Sequence, residues 1–198
     1  MKHSCLTAIA VAVTLTVNCG GGTRENTNND EAVIGTSGEG APRGVERFVN
    51  EVVAASTAEV ELGRMASERA MNPDVKEFGQ MMVRDHTAAG MEFKQVLTQH
   101  GMQVREVMDE KHRDLSQELS RLQGAEFDRE YMAAMVDGHE QVKSMLEGRA
   151  NEKANNQPLE NAVNQWAAKA LPVVQHHLAM AQQLEDRLGD TPRRNTTQ

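Results

Sequence analysis

Cysteine is scarce in this 198-residue chain, and the positions of its two cysteines are informative. Cys5 and Cys19 both fall within the first nineteen residues, and no later residue carries a thiol. The part of the chain that follows therefore forms no internal disulfide and no thiolate metal site. A metal ion held there must take its ligands from histidine, carboxylate or methionine side chains.

Aromatic residues are also few. They make up only 3% of the chain, whereas methionine occurs 12 times. Because β-strands favour aromatic and β-branched side chains, so low an aromatic content argues against a protein built on a large sheet. The composition predicts an all-α protein.

The chain also has no excess of positive charge and no recognisable catalytic motif. The 21 lysines and arginines are outnumbered by 29 aspartates and glutamates, which gives a formal net charge of −8. We expect no nucleic-acid partner, because binding phosphates needs a basic surface. The chain has no phosphate-binding loop, no G-x-S-x-G, no H-E-x-x-H and no dinucleotide fingerprint, so its motifs indicate no reaction.

Residues 1–19 have the composition of a signal peptide. Lys2 precedes an apolar run over residues 6–17, which is too short to span a membrane as an anchor. The run leads to Cys19 and Gly20 and resembles a bacterial lipoprotein signal, in which the cysteine is lipidated and becomes the new N-terminus. The resemblance implies a lipid anchor at Cys19 as the only membrane contact, on the periplasmic side of the outer membrane. Simple export to the periplasm or the medium is the alternative.

Two polar segments flank the part of the chain that we expect to fold. Residues 20–43 are rich in glycine, asparagine, threonine and glutamate and have almost no apolar content. Such a segment cannot bury enough surface to offset the entropy lost on ordering, so we expect a flexible tether. We expect residues 190–198 to form a disordered tail, which leaves residues 44–189 as one folded domain.

The remaining sequence shows helical periodicity. Apolar residues recur at spacings of three and four over Val45–Arg69, Pro73–His100, Glu126–Arg149 and Pro158–Gly189. A shorter, more charged segment, Val104–Leu122, has the same periodicity and is predicted to be a crossover helix. Short connections between long amphipathic helices favour antiparallel neighbours. The sequence therefore predicts an all-α, up-and-down four-helix bundle with one extra short helix.

Each of the four long apolar stripes is interrupted by one side chain that can bind a metal. These residues are Glu59, His86, His139 and His177, and each lies near the middle of its helix. Helices of similar length packed side by side bring their midpoints to one level, so the four side chains are predicted to converge in the core. Three imidazoles and a carboxylate suit one transition metal ion, either zinc, iron or copper.

Four further residues are candidate neighbours of such a site. Asp85 and Asp137 can accept hydrogen bonds from metal-bound imidazoles and so orient them. Tyr131, the only tyrosine, is interpreted as core packing, with a hydrogen bond across the core or a redox role as the alternatives. His176 lies beside the stripe, so it is expected at the surface or next to the site.

A metal-free interpretation stays open at this point. The same four stripe residues can form a buried hydrogen-bond network, since a polar group in a core needs a partner. The protein would then be a non-catalytic structural or stress-related module of the cell envelope.

Three stretches of the sequence together resemble a known family. They are AEVELGRMASERAMNPDVKEFGQMMVRDHTAA, GAEFDREYM with a following histidine, and LPVVQHHLAMA. They are similar to the domain-of-unknown-function 4142 family, exported bacterial proteins that are often labelled putative outer membrane protein. The resemblance implies a ferritin-like helical bundle but no activity. The positions that match its motifs are Glu59, Asp85, His86, Phe127, Asp128, Tyr131, His139, Leu171, Pro172 and His177.

The chain departs from the di-iron ferritins at the positions that would bridge two metals. Di-iron bundles carry Glu-x-x-His on two helices. Here the residues three before the stripe histidines are Val83, Val136 and Val174. The sequence therefore predicts a mononuclear site rather than a di-iron centre.

Overall fold

The computed structural model describes residues 42–189. Over this range the chain forms five helices and no strand, which confirms the predicted all-α helical bundle. The helices are α1 (Arg43–Arg69), α2 (Pro73–Gln99), α3 (Glu110–Arg121), α4 (Gly124–Ala150) and α5 (Pro158–Gly189). The predicted signal peptide, nearly all of the predicted tether and the predicted tail lie outside the described residues. No helix in the described range combines the length and the apolar composition that crossing a membrane requires.

The bundle consists of two helical hairpins. α1 packs along α2 and α4 packs along α5, while contacts of α1 with α4 and of α2 with α5 join the two pairs. α3 is the crossover between the hairpins and packs on α1 and α4. Four long helices thus enclose one continuous interior.

One amide side chain and one carboxylate side chain accept hydrogen bonds from the backbone of the turn between α1 and α2. Asn72 caps α2 by accepting a hydrogen bond from the backbone N–H of Asp74 at 2.8 Å, and Pro73 occupies the first helical position. From α4, the buried carboxylate of Asp128 accepts the backbone N–H groups of Met71 and Asn72 at 2.9 and 2.8 Å. The second hairpin therefore holds the first one at its turn.

α1 and α2 approach closely where two glycines face each other. A Cβ atom built on Gly63 would lie 2.8 Å from the carbonyl oxygen of Gly79, and one built on Gly79 would lie 2.7 Å from that of Gly63. Neither position has room for a side chain. The contact lies one turn along α1 from Glu59, so it sets the spacing of the two helices near the predicted site.

The apolar core is divided into two clusters. One contains Phe48, Phe93 and Trp166, and the other contains Phe78 and Phe127. Along each long helix, the residues of the two clusters are separated by one buried polar stripe residue. The polar layer therefore lies between two apolar layers.

The crossover segment differs from the prediction at its start. The predicted helix Val104–Leu122 begins only at Glu110, and the preceding residues 102–109 are not helical. Asp109 is the N-cap and accepts the backbone N–H of His112 at 2.9 Å, which fixes the first turn six residues later than expected. The predicted start was wrong because apolar periodicity alone cannot distinguish an extended apolar segment from a helical one.

Candidate metal centre

Three histidines from three helices meet in the polar layer. His86 comes from α2, His139 from α4 and His177 from α5. The centroids of their rings are 5.7 Å apart for His86 and His139, 5.3 Å for His86 and His177, and 5.6 Å for His139 and His177. The three rings thus form a nearly equilateral triangle. His139 and His177 are at most 1% exposed, and His86 is 8% exposed.

The carboxylate of Glu59 on α1 supports two of these rings. Its Oε2 atom lies 2.9 Å from Nδ1 of His86, and its Oε1 atom lies 3.5 Å from Nδ1 of His139. Glu59 itself is only 6% exposed. Its contacts are to ring nitrogens, which are the contacts of an orienting acceptor, and the set of residues close enough to hold one ion contains the three histidines without Glu59.

The remaining contacts of the rings are made to α4 and α2. Nδ1 of His139 also lies 2.8 Å from the carbonyl oxygen of Met135, one turn earlier on α4. Nε2 of His177 lies 3.1 Å from Oδ2 of Asp85, whose other oxygen accepts from Nε of Arg84 at 3.0 Å. Asp85 is thus the predicted acceptor that the structure does bring to the site.

Each histidine keeps one ring nitrogen that has no hydrogen-bond partner in the described part of the chain. These atoms are Nε2 of His86, Nε2 of His139 and Nδ1 of His177, and all three are buried. In each ring, therefore, one nitrogen lies near an acceptor oxygen and the other nitrogen has no hydrogen-bond partner. Metal-binding histidines in proteins have this arrangement, with the second nitrogen bound to a carboxylate or a carbonyl.

The three histidines lie close enough together to be a candidate site for a single ion. One ring nitrogen from each histidine can be chosen so that the three lie within 4.8 Å of one another. Tetrahedral coordination with bonds of about 2.0–2.1 Å places ligand nitrogens about 3.3 Å apart. Nitrogens at the 4.8 Å limit would have to approach each other by about 1.5 Å to reach that spacing.

The pKa values of the cluster show strong coupling. Burial by itself raises the pKa of Glu59, but the charges of His86 and His139 outweigh it and lower the pKa to about 2. Burial lowers the pKa of His86, but the charge of Glu59 and its hydrogen bond outweigh this effect, so the pKa of His86 is raised. Burial and the charge of His86 lower the pKa of His177 to about 4. The carboxylate therefore stays ionised, and His177 stays neutral, the form that binds a metal.

Tyr131 is fully buried on α4, one turn before Met135. Its ring packs against Phe78 and Phe127, with centroids 6.3 and 5.9 Å away. Its hydroxyl has no hydrogen-bond partner among the described residues, and burial, followed by the charge of Glu59, raises its pKa. The structure places Tyr131 in an apolar cluster, and no hydrogen bond joins it to the three histidines.

Two other predicted neighbours are not brought into the site. Asp137 lies two residues before His139 on the exposed side of α4, and no hydrogen bond or ion pair in the described range joins it to an imidazole. His176 is exposed, with its ring 6.4 Å from that of His177. Sequence reasoning placed Asp137 near the site because of its separation along the chain, but a two-residue step on a helix changes the face.

A large cavity opens beside the cluster. Its volume is about 910 Å³, and His86, His177, Glu59 and Asp85 line one part of it. Most of its other lining is apolar and comes from α1, α2, α5 and the non-helical segment before α3. His139 does not line it. The histidine cluster is therefore reached from one side, through a mainly apolar cavity.

The sequence profile of one protein family matches residues 36–184. That family is described as a domain of unknown function, DUF4142. This chain belongs to the DUF4142 family. The match confirms the resemblance that the three motif stretches gave. No curated protein and no solved structure matches the chain.

The motif residues of this DUF4142 chain serve two purposes in the structure. Asp85 and the three histidines form the cluster, whereas Phe127, Asp128 and Tyr131 support the packing of α4. Sequence reasoning did not assign the cap made by Asp128, because the capped residues are 56 and 57 positions away. The acceptor at the carbonyl of Met135 was also missed, since a backbone group leaves no signal in residue identity.

Proposed function

We propose that this DUF4142 protein is an exported envelope protein that holds one transition metal ion through His86, His139 and His177. The observation that carries the proposal is the set of three buried ring nitrogens without hydrogen-bond partners, one on each histidine. An unpaired buried polar atom costs about 1–3 kcal/mol, so three of them on one group of histidines need an explanation. A metal ion bound by these three nitrogens would satisfy all of them.

The metal-free alternative is a structural envelope module with a buried polar network. Glu59 favours this reading in part, because it contacts His86 and His139 and would satisfy one nitrogen of each. The network does not extend to the opposite nitrogens, however, and His177 is bonded to Asp85 rather than to Glu59. A metal ion would give the second nitrogen of each ring a partner, whereas the hydrogen-bond network gives a partner to only one nitrogen of each ring.

The ligand set limits the identity of the ion. Imidazole nitrogen suits zinc, copper and iron, and no thiolate lies in the described range to select a softer ion. Valine at positions 83, 136 and 174 leaves no Glu-x-x-His pair, which supports one ion rather than two. Three protein ligands leave a coordination position for water or a substrate, and a bound ion would supply Lewis acidity or, with copper or iron, redox chemistry.

Elemental analysis of protein purified without a histidine tag tests the proposal. We expect close to one zinc, iron or copper ion per chain, and loss of that ion in His86→Ala, His139→Ala and His177→Ala. His100→Ala is the matched control, since His100 is exposed at the end of α2, and it should keep its metal. A wild-type protein that is metal-free and resists loading would contradict the metal site and support the structural module.

The proposed location rests on the N-terminal sequence. The apolar run, Cys19 and the glycine-rich residues after it support export with lipid attachment at Cys19, on the periplasmic side of the outer membrane. Mass spectrometry of the native protein provides the test. We expect a mature chain that begins at Cys19 and carries the added mass of a diacylglycerol group. A different N-terminus without lipid would exclude the anchor.

A further inference from the structure

We infer that the 910 Å³ cavity beside the histidines binds a neutral, mainly apolar small molecule with one oxygen or nitrogen donor at one end. The apolar end requires only the cavity, whereas the donor end rests on the proposed metal site. Ligand pockets in proteins usually have volumes of about 300–1,000 Å³, are mainly apolar and carry a few placed polar groups. This cavity has those three properties.

The apolar part of the cavity has an aromatic wall. Trp166 of α5 and Phe93 of α2 both line it, and their rings stack with centroids 3.9 Å apart and planes inclined by 23°. Met91, Val107 and Val173 also line the cavity and are among the few large apolar side chains that are exposed. Apolar surface left in contact with water costs roughly 25 cal/mol per Å². An apolar occupant would remove part of that cost.

The charged residues of the lining indicate a neutral occupant. Lys94 is paired with Glu106 at 2.7 Å, and Lys169 is paired with Glu92 at 2.5 Å. Arg113 donates to the carbonyl oxygen of Met108 at 2.6 Å. Arg64, the remaining arginine of the lining, lies 3.9 Å from Glu61. The four lysines and arginines of the lining thus contact acceptors within the protein, and an anionic ligand would have to compete with these contacts.

The donor end of the ligand is indicated by the opposite part of the lining. His86 and His177 line the cavity, and each carries a buried ring nitrogen without a hydrogen-bond partner. A metal ion held by the three histidines would keep a coordination position open, and two of its three ligand residues line the cavity. A donor atom fits that position, and the apolar body fits the walls.

The binding test uses the single tryptophan of the chain as its reporter. The full chain with Cys19→Ser takes no lipid, and the variants compared below carry the same N-terminus, so probe bound by the apolar run of residues 6–17 is common to all of them. N-phenyl-1-naphthylamine, a neutral apolar probe, accepts excitation energy from tryptophan. We expect saturable energy transfer from Trp166 with one probe per chain. Absence of saturable binding would overturn the inference.

Two variants of α5 locate the bound probe. Val173→Glu places a charge on the cavity wall at a residue that is 46% exposed, so the fold tolerates it. It should weaken probe binding about tenfold or more. Gln175→Glu adds the same charge at an exposed residue outside the lining and should bind the probe as the wild type does. Melting temperatures confirm that both variants fold, and equal affinities in both would overturn the inference.

A pair of competitors tests the donor end separately. 1-Phenylimidazole and 1-phenylpyrrole have the same shape, but only the imidazole has a nitrogen lone pair that binds a metal. On zinc-loaded protein we expect 1-phenylimidazole to displace the probe about tenfold better than 1-phenylpyrrole. His139→Ala removes a ligand without changing the cavity lining, and it should abolish this difference.

The two tests separate the inference from the proposed function. Equal competition on zinc-loaded protein would overturn the donor end. A chain that takes up no metal but binds the naphthylamine, with the loss at Val173→Glu, would contradict the metal site and support the apolar cavity. A chain that binds metal but fails to bind the naphthylamine would support the metal site and overturn the apolar cavity.

Discussion

Glu59 is a buried carboxylate at the histidine cluster. It is the only carboxylate in the described range that contacts two of the three rings, His86 and His139. Residues that hold metal ligands in place typically change metal affinity by about 10–100-fold when they are replaced. Glu59 is therefore the residue that best separates orientation of the ligands from ligation itself.

The first prediction is that Glu59→Gln weakens metal binding without abolishing it. The amide keeps the volume but removes the charge and one acceptor from His86 and His139, so the dissociation constant should rise about 10–100-fold. Competition with a metal chelator measures it. Glu61→Gln is the control, because Glu61 is half exposed on the same helix and contacts Arg64 instead. Equal affinities in the two variants would exclude the orienting role of Glu59.

The second prediction concerns the pH dependence of the metal-free protein. The pKa of His177 falls from 6.5 to about 4 on folding, so the free energy of unfolding decreases as the pH falls through that interval. The pKa of His86 is raised on folding, so its contribution is present below 6.5 and is lost as the pH rises above it. Stability should therefore be greatest near pH 6.5.

Denaturant unfolding over this pH range checks the prediction. In His177→Gln the loss of stability between pH 6.5 and 4.5 should disappear. Below pH 4.5 a loss remains, since the pKa of Glu59 is lowered from 4.5 to about 2 and its stabilising contribution falls as it protonates. If the free energy of unfolding of His177→Gln still fell between pH 6.5 and 4.5 as in the wild type, the result would contradict the assigned neutral state of His177.

At the scale of the helices, a buried carboxylate joins the second hairpin to the turn of the first. Asp128 of α4 is 1% exposed and accepts the N–H groups of Met71 and Asn72 in the α1–α2 turn. This contact fixes α4 against the first hairpin. It lies far along the bundle from the histidines, and its role is structural.

The third prediction is that Asp128→Ala destabilises the protein without removing its metal ligands. Two backbone donors lose their acceptor, which should lower the free energy of unfolding by about 1–3 kcal/mol. Glu130→Ala, an exposed position on the same helix, should change it by less than about 0.5 kcal/mol. Chemical denaturation measures both. A similar, small change in both variants would show that the cap contributes nothing.

The fourth prediction is that Gly63→Ala destabilises the bundle. The added methyl group would meet the carbonyl oxygen of Gly79 at 2.8 Å and force α1 and α2 apart, at a cost of about 1–3 kcal/mol. Gly148→Ala meets nothing within 4 Å and should stabilise α4 by about 0.5–1 kcal/mol. Thermal unfolding of the two variants should shift in opposite directions. A stabilised Gly63→Ala variant would contradict the close helix contact.

The sequence predicted the four long helices well because their helical periodicity extends over more than twenty residues in each. It also identified the stripe positions of Glu59 and the three histidines as buried, which the structure confirms. Periodicity gives the face of a residue but not its distance from residues on other helices. Periodicity therefore could not show that Glu59 contacts the rings of two histidines, whereas the three histidines form the group that could hold an ion. It also could not show that Asp137 lies away from the site.

At the scale of the whole molecule, the polar layer lies between two apolar clusters and cannot be explained by packing alone. Each of the four long helices carries, at one core position, a polar side chain whose burial is energetically unfavourable. The apolar clusters pack on either side of this layer. Such a cost at one level of the bundle indicates a functional site.

X-ray absorption spectroscopy of the zinc-loaded full chain tests the central claim most directly. The account predicts three imidazole ligands with zinc–nitrogen distances of about 2.0–2.1 Å, no sulfur shell, and loss of the bound zinc in His139→Ala. A zinc site with sulfur ligands, with fewer than three imidazoles, or unchanged in His139→Ala would contradict it.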